Sequence, residues 1–198
     1  LKTLASTYKT AEFLMLNSKD AREAVLAEAA SAGYAAPILI DANQLIGEGL
    51  GVTRSGEAIV INPKTWTVAY RGPVAGVAAA LDALAAGQPV PAAKGQLGGA
   101  IAFPARGAKL TYVKDVAPIL EKNCVACHQE GGIGPMQLTS YEMVKGFSPM
   151  IREVLRTDRM PPYNADPHVG KFSDTKNLTP AEIKTLVHWV EAGAPRGE

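Results

Sequence analysis

The first half of the chain alternates short apolar runs with helical repeats. "AEFLMLN" (11–17) is an apolar run of strand length. "SKDAREAVLAEAASAG" (18–33) has helical composition, with Ser18 placed as an N-cap and Gly33 as the stop. "PILID" (37–41) is again strand-like. "EAIVINP" (57–63) and "WTVAYRG" (66–72) read as two strands joined by a tight "NPKT" turn. "PVAGVAAALDALAAG" (73–87) opens on Pro and closes on Gly, as a helix does. The order βαβ…ββα predicts a mixed sheet with helices packed on it.

The pattern then changes. "GQPVPAAKGQLGGAIAFPARGAK" (87–109) sustains neither a helical nor a strand period and is rich in Gly, Pro and Ala. It reads as a linker with one short strand at most, which divides the chain into domains at 1–87 and 110–198. Beyond it the periodicity is helical. "TYVKDVAPILEKNC" (111–124) puts Val113, Val116 or Ala117, and Leu120 on one face, with Pro118 opening a helix or kinking it. "TSYEMVKGFSPMIREVLR" (139–156) opens with Thr139 and Glu142 at capping-box spacing. "TPAEIKTLVHWVEAG" (179–193) has Thr179 as cap, Pro180 at the first helical position, Glu182 completing the box and Gly193 as the stop.

Composition adds limits more than direction. The chain has 198 residues, 47% of them hydrophobic and 20% charged, as in an ordinary soluble globular protein. A net charge of +1 supplies no basic field, so nucleic-acid binding through a positive surface is unsupported. The longest apolar stretch (74–87) is interrupted by Asp82 and too short to span a bilayer. The chain opens on Leu1 rather than Met, which reads as a processed or incomplete chain; the missing signal peptide is then no argument for the cytoplasm.

The chemistry concentrates in "EKNCVACHQE" (121–130), which holds both cysteines and one of three histidines. Cys-x-x-Cys-His is the attachment signature for c-type haem. Cys124 and Cys127 on one tight turn add across the two vinyl groups, and His128 lies under the ring as axial ligand. Zinc is the first competitor, but it wants four ligands, and His168 and His188 make no short-spaced pair. A thioredoxin-type CxxC is the second; it follows a strand and opens a helix, whereas this one ends a helix and enters "HQEGGIGP".

The second axial ligand is sought among Met136, Met143, Met150, Met160, His168 and His188. Met143 and Met150, seven apart, read as core packing. Met136 lies so close after His128 that reaching the opposite face is difficult, and it is expected to pack near the ring edge. Met160, in "DRMPPYNADP", stands in a loop stiffened by two prolines and is the first candidate. His168 is the alternative, and an open sixth position the third reading. His128 is expected to donate its other ring nitrogen to a backbone carbonyl within 131–135, a segment whose Gly and Pro135 let the chain pass close to the ring. Tyr163 and Trp189 either pack on the haem or bond a propionate, or simply fill the core. Arg152, Arg156 and Arg159 either neutralise propionates or form a solvated helix face.

Two resemblances follow from these segments. Through "FLMLNSKDAREAV", "PILIDANQLIGEGLGV" and "EAIVINPKTWTVAYRG", residues 1–87 resemble the later part of a thioredoxin- or peroxiredoxin-like domain. Two departures matter. The opening strand and the helix carrying the family's redox cysteine are missing, and the loop "TRSGE" (53–57) lacks the family's cis-proline. "GGAI" (98–101) also lacks a cysteine that relatives with this layout often carry. The resemblance thus implies a degenerate redoxin without thiol chemistry, kept for packing or docking. Through "DVAPILEKNCVACH", "GPMQLTSYE", "RMPPYNADP" and "LTPAEIKTLVHWVEAGAP", residues 110–198 resemble class I-like monohaem cytochrome c domains. Tyr163 stands where relatives often have tryptophan. The resemblance implies one covalent haem c, Met160 as the axial methionine, and first and last helices (113–122 and 180–193) that cross beside the haem.

The expected fold is therefore an α/β thioredoxin-like domain followed by an all-α cytochrome c domain. The expected function is electron transfer between redox protein partners, in the periplasm or at the outer face of the bacterial cytoplasmic membrane, with no catalytic residue. The redoxin-like part would dock, a membrane-bound electron-transfer complex being the expected host, while this chain itself contributes no transmembrane segment. Two alternatives stay open: a haem enzyme (a peroxidase or oxidase component) with a labile sixth site, and a structural subunit of a membrane complex.

Overall fold

In a computed structural model, all residues are described except Ala35, Arg106, Asn164, Pro167 and Asp174. Asn164 and Pro167 of the expected Met160 loop and Arg106 of the expected linker therefore lie outside the described residues. The chain forms two compact units, Leu1–Phe103 and Pro104–Glu198.

The first unit is α/β. A short α1 (Lys2–Thr7) precedes β1 (Met15–Asn17), α2 (Arg22–Ala32) and β2 (Ile38–Ile40). β1 and β2 pair in parallel, Leu16 opposite Leu39, so α2 is the crossover of a βαβ unit. α2 starts four residues later than its composition suggests, because Ser18 is not its cap. The Ser18 hydroxyl donates to Asp41 at 2.7 Å, and the Asn17 side chain accepts from the N–H groups of Lys19 and Asp20 in an Asx-type turn. Gly33 does end the helix, in the left-handed region at φ 59°. α3 (Leu45–Gly49) follows; its Gly47 N–H donates to Asp41 at 2.8 Å.

β3 (Glu57–Asn62) and β4 (Thr67–Pro73) form an antiparallel hairpin, then a 3₁₀ turn (Val74–Gly76) leads into α4 (Val77–Ala85). The expected single mixed sheet is not formed. Among the described residues the strands make two separate two-stranded sheets. The hairpin packs with α4 around Tyr70, Val77 and Ala80, joined by Phe13, Val60, Leu81 and Val90.

Val90 comes from the stretch expected as linker, and its neighbours are also held by this unit. Ser55 N–H donates to the Gly99 carbonyl, Gly98 N–H to Ser55 and Ile101 N–H to Thr53, at 2.8–2.9 Å. The "TRSGE" loop and "GGAI" are thus paired, and residues 88–103 belong to the first unit. No local period announces this, because the partners are more than forty residues apart.

The second unit is built from helices and loops. A π-helical turn (Tyr112–Val116) runs into α5 (Ala117–Asn123), with Pro118 in the first turn, where its missing N–H costs nothing. The expected helix over 139–156 is two helices, α6 (Tyr141–Gly146) and α7 (Ser148–Arg156). Pro149 cannot donate to the Lys145 carbonyl, and the Ser148 hydroxyl takes that carbonyl instead at 2.8 Å. Ser140, not Thr139, caps α6. Met143 and Met150, expected in the core, are exposed on these two helices.

α8 (Pro180–Glu191) carries the full capping box of Thr179 and Glu182. Its inner face supplies Leu186, Val187 and Trp189, which close the core with Val116, Leu120, Val144, Ile151 and Leu155. α8 runs antiparallel to the first helical segment. Tyr112 N–H donates to the Pro195 carbonyl, and the Tyr112 and Trp189 rings lie 6.1 Å apart at one end. At the other, Lys122 pairs with Glu182 at 3.0 Å.

Candidate functional site

Cys124 is the C-cap of α5, and its carbonyl receives two N–H groups, from Cys127 at 3.1 Å and His128 at 3.0 Å. The turn presents both thiols and the imidazole from one short arc. Both cysteines are free thiols and half-buried. Burial pushes the Cys124 thiol up to about 11, with the charges of Cys127 and Glu182 adding to the effect. Redox-active CxxC pairs have a lowered thiol, which attacks as thiolate. This pair sits at the wrong end of a helix for that chemistry, and its first thiol is shifted the other way.

The loop after His128 fixes the imidazole. Nδ1 of His128 lies 2.9 Å from the Met136 carbonyl. A carbonyl only accepts, so Nδ1 carries a proton here, and in the neutral imidazole that leaves the lone pair on Nε2. The acceptor lies one residue beyond the 131–135 segment in which it was expected. The approach is close because two glycines have no side chain. A Cβ at Gly134 would lie 2.5 Å from His128 Nδ1, and one at Gly132 would lie 2.4 Å from the Cys127 carbonyl oxygen. Gly134 N–H donates to that same oxygen at 2.8 Å, and Leu138 N–H donates to the His128 carbonyl at 2.9 Å. Sequence reasoning anticipated a Gly-rich loop here but not these two steric requirements, whose signal is only the "GGIG" spelling.

This donor set fits a covalently attached haem. Two thiols and an imidazole stand on one turn, against a loop in which Gly132 and Gly134 leave no room for a Cβ. It does not fit zinc. Among the described residues no group of three or more His, Cys, Asp or Glu side chains converges as a metal site would require.

The other candidates are placed as follows. Met160 follows α7 and is 36% exposed; Pro135 and Tyr163 are exposed. Beyond Met160 the chain is tied down by the segment before α8. The Thr175 hydroxyl accepts from Ala165 N–H at 3.4 Å, the Asn177 amide donates to the Ala165 carbonyl, and Lys176 N–H donates to Tyr163. His168 is exposed, and its backbone N–H and Nδ1 both meet Asp166 Oδ1 at 2.8 Å. His188 Nδ1 lies 3.2 Å from the Ala105 carbonyl.

Trp189 is fully buried, and its indole N–H donates to the Pro195 carbonyl at 2.8 Å. That N–H is taken up within the domain. The three arginines are committed too. Arg152 and Arg156 pair with Glu191 of α8 at 2.7 and 3.3 Å, and Arg159 pairs with Glu153. Arg152 and Arg156 clip α7 to α8, and Arg159 folds back onto α7.

Glu182 does double work that the sequence only half discloses. Burial would raise its carboxyl, but the Thr179 N–H and hydroxyl together with the Lys122 ammonium outweigh this and hold it below the usual glutamate range. Asn123 also donates to it at 3.5 Å. The residue just before Cys124 is thereby anchored to the start of α8. Comparison with protein-family models, with curated proteins and with solved structures returned no match to this chain.

Proposed function

We propose that residues 104–198 form a c-type cytochrome domain, and that the chain transfers single electrons between protein partners outside the cytoplasmic membrane. The observation that carries this is the fixed imidazole. His128 follows the Cys124–Cys127 turn directly, and the Met136 carbonyl sets its tautomer and rotation. Cys124 and Cys127 would hold one haem, with His128 and Met160 as axial ligands; bound there, the haem supplies one-electron chemistry, and Met/His ligation favours a raised potential.

The chain's own residues supply rigidity. Gly132 and Gly134 keep the loop against the imidazole. Glu182 holds the end of α5 through Lys122 and Asn123. Thr175 and Asn177 hold the backbone of Ala165, five residues after Met160. Segments held this way would leave little to rearrange between two oxidation states. The α/β unit we read as a degenerate redoxin that docks. It has no cysteine, and its "TRSGE" loop is already paired with residues 98–101. No helix among the described residues is long and apolar enough to cross a membrane.

A second reading, a haem enzyme with a labile sixth site, draws on the 36% exposure of Met160. Carbon monoxide separates the two. The electron-carrier reading expects the reduced protein at neutral pH to leave the gas unbound and to titrate in a single one-electron wave. Ready binding of the gas would sink the Met160 assignment and favour the enzyme.

A further inference from the structure

The hairpin of the first unit ends in an apex whose chemistry the electron-carrier reading does not use. Trp66 stands there 82% exposed, in the left-handed region at φ 54°. A bulky residue rarely takes that conformation, which glycine occupies without cost. The apex is well defined: Trp66 N–H donates to the Asn62 carbonyl at 2.8 Å, Lys64 N–H to the Asn62 side chain at 2.9 Å, and the hydroxyls of Thr65 and Thr67 lie 2.7 Å apart. Below it, Ile61 and Val68 face each other across the strands and are 47% and 57% exposed. Between Ile61 and Tyr70 the one charged residue is Lys64. Arg71, the next cation, is already engaged by Glu57 and by the carbonyls of Leu50 and Gly51.

We propose that this apex is a contact site for an anionic lipid surface. The three apolar side chains expose on the order of 400 Å², about half of what each partner contributes to a standard protein interface. A small convex tip also needs a matching concavity in a protein partner, but none in the interfacial layer of a bilayer. Trp is suited to that layer, its ring in the boundary and its N–H among headgroups. Lys64, unopposed within the apex, complements a negative headgroup. The contact would hold the chain at a membrane surface without spanning it.

The test is sedimentation of the full-length protein with phosphatidylcholine vesicles, with and without phosphatidylglycerol, at millimolar lipid. The expected result is partition onto the anionic vesicles. Trp66→Ala should lower the partition about tenfold or more, the loss expected for one large apolar side chain. Lys64→Glu should lower it about fivefold or more on anionic vesicles and leave neutral ones unchanged. Both positions are exposed, and an unchanged melting curve verifies that each variant is folded. No sedimentation of the wild-type chain, or sedimentation indifferent to Trp66→Ala, overturns the proposal. Neither readout involves the haem, so this proposal and the electron-carrier reading fail separately.

Discussion

Gly134→Ala probes the geometry that orients His128. The added methyl would lie 2.5 Å from Nδ1 of His128, 2.8 Å from its Cε1 and 2.8 Å from the Cys127 carbonyl oxygen. The carbonyl belongs to the backbone and cannot yield cheaply, so the imidazole turns away and releases the Met136 carbonyl. Overpacking of this kind costs about 1–3 kcal/mol. The lost hydrogen bond adds about 1 kcal/mol. Chemical denaturation should therefore show a loss of about 2–4 kcal/mol. In the haem-bearing protein the same bond makes the imidazole a stronger donor and favours the oxidised state. Losing about 1 kcal/mol of that preference raises the potential by about 40 mV, at 59 mV per tenfold change for one electron. Gly131→Ala is the control. Its φ is 71° and, among the described residues, nothing lies within 4 Å of the added methyl, so it should cost about 1 kcal/mol of stability and leave the potential alone. Equal potential shifts in both variants, or none in Gly134→Ala, would refute the cradle.

Four further outcomes follow from the structure. Met160→Ala should abolish any methionine-to-iron charge-transfer band and admit carbon monoxide, while costing the haem-free fold less than about 1 kcal/mol because the side chain is 36% exposed; a persisting band refutes the assignment. Thr179→Ala should cost about 1 kcal/mol by removing the cap of α8. The pH dependence belongs to Glu182. Its folded carboxyl is depressed, so its contribution is complete above the usual glutamate range and disappears as pH falls below it; Glu182→Gln should flatten that part of an acid denaturation curve. Trp189→Phe should cost about 1–3 kcal/mol, since the residue is fully buried and the Pro195 carbonyl loses one of its two donors, keeping the Tyr112 N–H; a change under 1 kcal/mol in the same denaturation assay would contradict that reading.

What the sequence made legible was local. α8 could be read end to end because its cap, its first-turn Pro180 and its stop are all contiguous signals. The thiol pair and His128 were equally plain, since one turn carries them. Failures came where a distant partner captured a local signal. Ser18 has N-cap chemistry, but Asp41, twenty-three residues on, takes its hydroxyl. Residues 88–103 look unstructured in sequence, yet their hydrogen-bond partners lie at 53–55. The 139–156 helix broke at a proline that the pattern had already displayed. For Trp189 an aromatic residue alone left haem packing, a propionate bond and core packing open; the carbonyl that takes its N–H lies past the end of the helix.

The central claim is that Cys124 and Cys127 bind haem covalently. It is tested most directly by the intact mass of the chain under denaturing conditions, after expression in the periplasm of a bacterium that attaches haem to such motifs. The account predicts one haem retained per chain, reduced covalent attachment when either cysteine becomes Ser, and none when both do. A chain at its polypeptide mass, with both thiols open to alkylation, would contradict it.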